Sequence, residues 1–416
     1  MIVILSIAAM VLSCFFSLIL KKQEVALLLV FFSFEFIFNY GKDVPLTLYV
    51  IPTFCGFLSV VGNNAKNKVL WLLLFWFLAY YCLIAVFGPY SKPVYGWILR
   101  TLSLVFLFLW VMLIKWDRKN IFFIIFSYGA YWLAWGFLEK LILDPPRIGG
   151  PLNSPTGYAM ILCILWSIWF VDACKQRKNI FMLTAGTSLV LLAIIFSGAR
   201  MGIIGLCIGV LFGIYSYVHA FAVSQSSNSA ITNKIKFLVT LLFTSVIFII
   251  IWNVFMKDLL IARTMESILH GKIDPSNMGR LVAWFTAYDM FYNHKIWGVG
   301  PDTFSEFYSK FLKNIPNVVV TNKVLPHAHN EYLQTLAEFG LLGFIHLSTV
   351  ILFCVFSIVN YMRKNKNETV CYGIMAGFLI LLVLILVDGT PSFGFIPWII
   401  GVMASYYMRE RNCLQK

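Results

Sequence analysis

Four short segments carry side chains suited to chemistry on a phosphate-linked substrate. Arg147-Ile-Gly-Gly-Pro-Leu-Asn-Ser-Pro-Thr156 joins an arginine to a glycine pair just ahead of an apolar run. Ser197-Gly-Ala-Arg200 lies in the turn between two apolar runs. Gly279-Arg280 opens a predicted helix, and His327-Ala-His329-Asn330 leads into a further run. The planar guanidinium fork matches phosphate oxygens. Imidazole is the side chain best suited to take a proton near neutral pH. Arginines with a histidine therefore suit a reaction in which a phosphate-linked group leaves and a hydroxyl attacks. Each segment also has a plain reading. Arg200 would be satisfied by snorkelling from a span end, Arg280 by a surface ion pair, the histidines as turn residues, and Arg147 beside an ordinary Gly-Pro turn. Two histidines without a matching Cys or Asp set argue against zinc. The chemical reading gains weight if all four segments face the same side of a membrane.

The composition calls for that membrane. Of 416 residues, 60% are apolar, 17% aromatic and only 12% charged. Soluble domains carry about 25% charged residues, so a soluble enzyme is excluded, and so is a disordered chain. A mean hydropathy of +0.84 points to lipid as the main solvent. The formal net charge of +14 does not indicate nucleic acid. Between Met256 and Phe339 eight basic residues face eight acidic ones, so the excess sits in short loops between apolar runs. The nine cysteines are scattered, mostly inside apolar runs, with no CxxC, which indicates neither a disulfide framework nor a metal site. The first run ends in Lys21-Lys22 with no basic leader and no small-residue cleavage site, so it reads as a retained span.

Apolar runs fall at approximately 2–20, 24–39, 46–61, 69–87, 96–114, 121–138, 156–173, 180–197, 201–220, 237–256, 339–360, 369–388 and 393–408. That predicts an all-α, polytopic protein of about 12–13 transmembrane helices. The odd connections are basic: Lys21 and Lys22; Lys66 and Lys68; Lys115, Arg118 and Lys119; Lys175, Arg177 and Lys178; Lys234 and Lys236; Arg363, Lys364 and Lys366. The even ones are nearly neutral, so positive residues inside put the even connections outside. All four segments are then external. So is the long polar stretch, which divides the chain into 1–256, 257–338 and 339–416. This stretch reads as helical. Ser276 is placed to cap a helix over about 277–293, with Leu281, Phe285, Tyr288 and Tyr292 on one face. Pro301-Asp302 starts a second, and a third runs from about Ala328 to Gly340. Its aromatic density predicts that it packs down on the membrane domain. Glu35, Arg100 and Asp388 lie in or at the ends of apolar runs, with internal pairing or a proton or ion path as the two readings. No Asp-x-Asp pair occurs. Many nucleotide-sugar transferases hold a metal with one, so its absence at an external site favours a lipid-carried donor and arginines in place of metal.

At these residues the sequence resembles the bacterial O-antigen ligase family, within a superfamily that includes O-antigen polymerases and O-oligosaccharyltransferases. The likeness is carried by His329-Asn330, nine intervening residues and then Gly340-Leu-Leu-Gly343, with His327 just before. The Gly-Arg at 279–280, the Gly-Ala-Arg at 198–200 and the Arg147-to-Thr156 loop fit in order and spacing. The resemblance covers about residues 140–400, and ligases and polymerases share the His-Asn signature. It implies a GT-C-type glycosyltransferase of the bacterial inner membrane, with a periplasmic helical domain over an outward-facing cavity. The implied donor is O-antigen polysaccharide on undecaprenyl pyrophosphate, and the implied acceptor is a sugar hydroxyl of lipid A–core in lipopolysaccharide assembly. Transfer would need neither cofactor nor metal. By motif match, His329 would orient or deprotonate the acceptor, and Arg200 and Arg280 would hold the pyrophosphate; His327, Asn330 and Arg147 would bind substrate. The same donor would serve an O-antigen polymerase or a protein O-oligosaccharyltransferase. A polytopic transporter is the remaining alternative; it would predict paired similar halves and charges near mid-membrane.

Overall fold

The computed structural model describes residues 2–40, 46–62, 68–88, 94–176, 180–223, 275–312, 325–365, 368–386 and 395–414. Helices α1 (Ile2–Leu18), α2 (Gln23–Tyr40), α3 (Val50–Val61), α4 (Lys68–Phe87), α5 (Val94–Leu113) and α6 (Arg118–Leu143) come first. They are followed by α7 (Pro155–Lys175), α8 (Ile180–Ser197), α9 (Arg200–Val223), α10 (Pro275–Asn293), α11 (Phe304–Leu312), α12 (Glu331–Lys364), α13 (Val370–Leu384) and α14 (Phe395–Leu414). Among the described residues there is no strand. Each predicted apolar run in this part of the chain falls on a helix; the run 237–256, and residues 257–274 and 313–324 of the polar stretch, lie outside the described residues. Asp388 and the side chain of Glu35 lie outside them too. By length and composition α6, α7 and α12 are apolar enough to cross a membrane, and eight shorter apolar stretches accompany them.

α7 is the axis of the bundle, with every residue from Gly157 to Ile168 buried. It packs against α6, α8, α9 and α13. Small residues on the neighbours explain the close fit. A Cβ at Gly205 of α9 would lie 3.0 Å from Cys163, at Gly209 2.5 Å from Trp166, and at Gly213 2.5 Å from Phe170. On α13, Gly373 and Gly377 make room in the same way for Ile168.

One end of this core is locked by Asp172 of α7, only 1% exposed. Arg118 at the start of α6 donates to it from Nη2 at 2.8 Å and from Nε at 3.2 Å. Gln176 Nε2 donates at 2.8 Å, and Thr369 Oγ1, just before α13, donates as well. A carboxylate accepting from three elements fixes their relative height. Removing one partner of a fully buried pair costs about 3–5 kcal/mol. Arg118 is half exposed and can rehydrate, so Asp172→Ala is expected to cost about 2 kcal/mol. Thermal unfolding in detergent should show a lowered midpoint, with a smaller drop for Asp172→Asn.

At the opposite end, residues 275–312 and 325–339 build a second small core. Val282, Ala283, Ala287 and Met290 of α10 meet Phe304, Tyr308 and Phe311 of α11, with Ala328 and Ala337. The cap predicted at Ser276 is not formed. α10 begins at Pro275, so Ser276 sits in its first turn rather than capping it; proline's fixed φ and missing N–H suit the first helical position. The stretch does sit on the preceding helices, through Asp302, Trp297 and Phe339, while the face Leu281, Phe285, Tyr288 and Tyr292 is exposed. The small Ala283 and Ala287 on the other face let α12 approach closely, and the aromatic rings would hold it away.

α12 is broken at Gly340, where φ is 62° and ψ is −157°. The segment after α10 runs alongside the break and satisfies its backbone. Val299 N–H donates to Ala337 O (2.8 Å), Gly300 N–H to Glu338 O (3.0 Å) and Leu341 N–H to Lys295 O (2.8 Å). Around this joint Arg100 of α5 pairs with Asp302, Trp97 meets Phe339, and Phe87 of α4 stacks on Trp297. The internal-pairing reading of Arg100 therefore describes its place: it ties the second core to the bundle.

Candidate functional site

The loop between α6 and α7 is stitched to the turn between α8 and α9. Arg147 Nε donates to Ser197 O (2.9 Å) and Nη2 to Gly198 O (3.2 Å). Ile148 N–H donates to Phe196 O (3.1 Å). Gly198 has φ +60°, which favours glycine, and a Cβ there would lie 3.1 Å from Arg147 Nε and press on it. The turn leads directly into Arg200, the first residue of α9; the side chain of Arg200 lies outside the described residues. Within the loop, the N–H groups of Gly149 and Gly150 both donate to the Glu139 carboxylate (3.1 and 2.8 Å). Consecutive N–H groups of this kind form an anion-binding concavity. Ser154 caps α7 by accepting from Gly157 N–H (3.2 Å). Thus Arg147 holds the 197–199 turn. Arg147→Ala is expected to lower activity by loosening that turn, with Arg147→Lys a poor rescue because one ammonium cannot span both carbonyls; activity assays on both variants check this.

The histidine segment is fixed from both sides. Ala328 is fully buried in the second core, and its N–H donates to Gln334 Oε1 (2.7 Å). Asn330 is 8% exposed and caps α12, its Oδ1 accepting from Leu333 N–H (3.0 Å). Between them His329 has φ +53°, a left-handed conformation rare for non-glycine residues. Strain of this kind persists where surrounding structure over-determines it. The rings of His327 and His329 lie 4.2 Å apart between centroids. Glu331 N–H donates to Ile385 O (3.0 Å) and Tyr332 Oη to Leu382 O (3.2 Å), which pins this segment to the end of α13.

Arg280 stands two residues before Val282 in α10, whose buried face shares its core with Ala328. The second core thus brings together the helix that carries Arg280 and the segment that carries His327, His329 and Asn330. The Arg147 loop and the start of α9 meet at the end of the α7–α9–α13 core, the end to which the histidine segment is tied. Among the described residues no three His, Cys, Asp or Glu side chains gather around one point.

Three positioning side chains were invisible in the sequence except as charges or amides: Glu139, Gln334 and Glu338. Glu338 is 6% exposed, and its Oε1 accepts from Phe304 N–H (3.1 Å), the first residue of α11. It precedes the break and the apolar run that begins at residue 339. Burial pushes its carboxyl up to about 8, against the opposing effects of the Phe304 N–H, Gln334 and Arg100; Glu331 adds to the rise. A carboxyl raised above its unfolded value contributes stability that is full below the unfolded value. That contribution is lost as pH rises through the folded one. The joint is therefore expected to loosen progressively as pH rises from the ordinary carboxylate range to about 8, with no further loss above. Glu338→Gln should remove that loss, as limited proteolysis across a pH series would show.

Residues 185–348 match the sequence model of a family described as O-antigen ligase. Over 204 residues the chain is 28% identical to a Haemophilus influenzae protein described as an uncharacterized protein; the match covers 48% of this chain and 49% of that one. The chain thus spans about half the length of that curated relative.

Proposed function

The match over residues 185–348 supports membership of the O-antigen ligase family, and from that premise we propose that the protein is a glycosyltransferase moving O-antigen polysaccharide from undecaprenyl pyrophosphate to a sugar hydroxyl of lipid A–core. The reaction would run at the periplasmic face of a bacterial inner membrane. The observation that carries the reading is that the matched span contains Arg200, Arg280, His327, His329 and Asn330. The bond between the donor's anomeric carbon and its pyrophosphate oxygen breaks, and a glycosidic bond to the acceptor oxygen forms. Arg280 and Arg200 hold the diphosphate and stabilise the charge that grows on it as it leaves. His329 takes the acceptor's proton as that oxygen attacks. His327 and Arg147 serve the same surface as neighbours, and Asn330 sets the angle at which His329 is presented. Guanidinium groups supply the positive charge, so the transfer proceeds without a metal ion.

The test offers one labelled lipid-linked donor to the purified protein with three acceptors: lipid A–core, a second lipid-linked glycan and a Ser/Thr peptide. Label appearing on lipid A–core supports the ligase reading. Extension of the lipid-linked glycan would make the protein a polymerase, and label on the peptide would make it an oligosaccharyltransferase.

A further inference from the structure

The exposed face of α10 has a shape and a continuation that identify what covers it. Leu281, Phe285, Tyr288 and Tyr292 form an i, i+4, i+7, i+11 stripe, with side chains of the last three more than half exposed. The opposite face is fully committed to the second core. The stripe does not stop at the end of α10. It continues into Ile296, 58% exposed, whose carbonyl accepts the N–H of Leu342 (3.4 Å) beside the break in α12. Next to it Leu341 and Ile345 are exposed on α12, a helix long and apolar enough to cross a membrane, and Leu352 and Phe356 carry the same exposed side further along. The neighbouring Trp297 stacks on Phe87 at the end of α4, where Val86 and Phe87 are exposed too. The aromatic stripe thus leads, through Ile296 and Trp297, to the exposed apolar sides of α12 and α4. Lys295 lies with its ammonium 4.5 Å over the Tyr292 ring, at the polar margin of the stripe. Tyrosines with a lysine at the margin are the composition found at the boundary between headgroups and acyl chains.

We propose that α10 is an interfacial helix: it lies along the membrane surface with Phe285, Tyr288 and Tyr292 inserted at the headgroup–acyl boundary of the leaflet beside it. The occupant of this face is the bilayer itself. The lipid contact does not rest on the transferase reading. Its consequence does: Arg280, one residue before the stripe, would be held at the depth where the diphosphate of a membrane-borne donor lies.

The test places p-benzoylphenylalanine at Phe285, Tyr288 or Tyr292 of the full chain reconstituted in phosphatidylethanolamine–phosphatidylglycerol vesicles. After irradiation, adducts are identified by mass spectrometry. Leu352 on α12 is the lipid-facing reference, and Ser309, exposed on α11, is the water-facing one. Lipid adducts at the three aromatic positions should match the yield at Leu352 and exceed that at Ser309 several-fold. Yields no higher than at Ser309, or adducts dominated by a second protein chain, would overturn the proposal. Activity does not enter this readout, so its failure is separate from failure of the functional reading.

Discussion

His329→Ala is expected to lower glycan transfer by about 10²–10⁴-fold, the range for removal of a general base, while the protein folds and inserts normally. The expectation of normal folding comes from the neighbours. The backbone at His329 is held by the Ala328 N–H bonded to Gln334 and by Asn330 capping α12, and neither uses the imidazole. Alanine keeps φ +53° only at some cost, about 1–3 kcal/mol for a non-glycine residue in a sparse region, a cost histidine already carries. Initial rates with labelled donor, beside thermal midpoints, separate loss of chemistry from loss of fold. His327→Ala should cost less. If the two variants exchange ranks, the proton goes to the other imidazole. Asn330→Ala is a useful third variant. It should lose about 1 kcal/mol of helix capping, and with it part of the rate, because the cap sets where His329 begins.

The largest structural effect is expected at Gly340. Two penalties meet there. The backbone has φ 62° and ψ −157°, a region open essentially to glycine alone. A Cβ would also lie 2.4 Å from Ile296 O, a backbone atom that cannot swing aside. Gly340→Ala should therefore cost more than about 3 kcal/mol, in the range reserved for backbone strain combined with steric conflict. The damage should be local: α10 and α11 lose their seat on α5 and α12, and residues 294–303 become protease-sensitive, while the α7-centred core survives. Gly279→Ala is the control. It adjoins a candidate arginine, but nothing lies within 4 Å of a Cβ there, so it should be neutral or gain roughly 0.5 kcal/mol as alanine replaces glycine in a helix. Limited proteolysis of both variants decides between these outcomes.

The contrast between these glycines shows what the sequence could and could not reveal. Helix positions were legible because a run of apolar residues in lipid has few alternatives to a helix. The start of α12 was legible within a few residues, from Ala328 predicted to Glu331 observed, although the Asn330 cap that fixes it was not read. The joint at Gly340 was not: it depends on Val299, Gly300 and Leu341 finding carbonyls about forty residues away in the chain, and backbone pairing leaves no side-chain signature. The aromatic face of α10 was legible as a face, but periodicity shows that one side differs from the other without saying which is buried. The candidate residues were found by type and spacing. What fixes them was missed: Glu139 under Gly149 and Gly150, Gln334 under Ala328, and Glu338 under Phe304 each act through a backbone N–H, and a lone acidic or amide residue gives no sign of that partner.

In the proposed transfer different side chains would serve different steps: guanidinium groups would bind the donor's diphosphate, and the imidazole would act only afterwards. The measurement that separates them is equilibrium binding of labelled lipid-linked donor to the full chain in lipid nanodiscs, compared across His329→Ala, Arg280→Ala and Arg280→Lys. His329→Ala should bind donor as the parent does and fail to turn it over. Arg280→Ala should lose binding, and Arg280→Lys should recover only part of it, since an ammonium does not reproduce a two-pronged grip on phosphate. Undiminished donor binding by Arg280→Ala, or loss of binding in His329→Ala alone, would contradict the account.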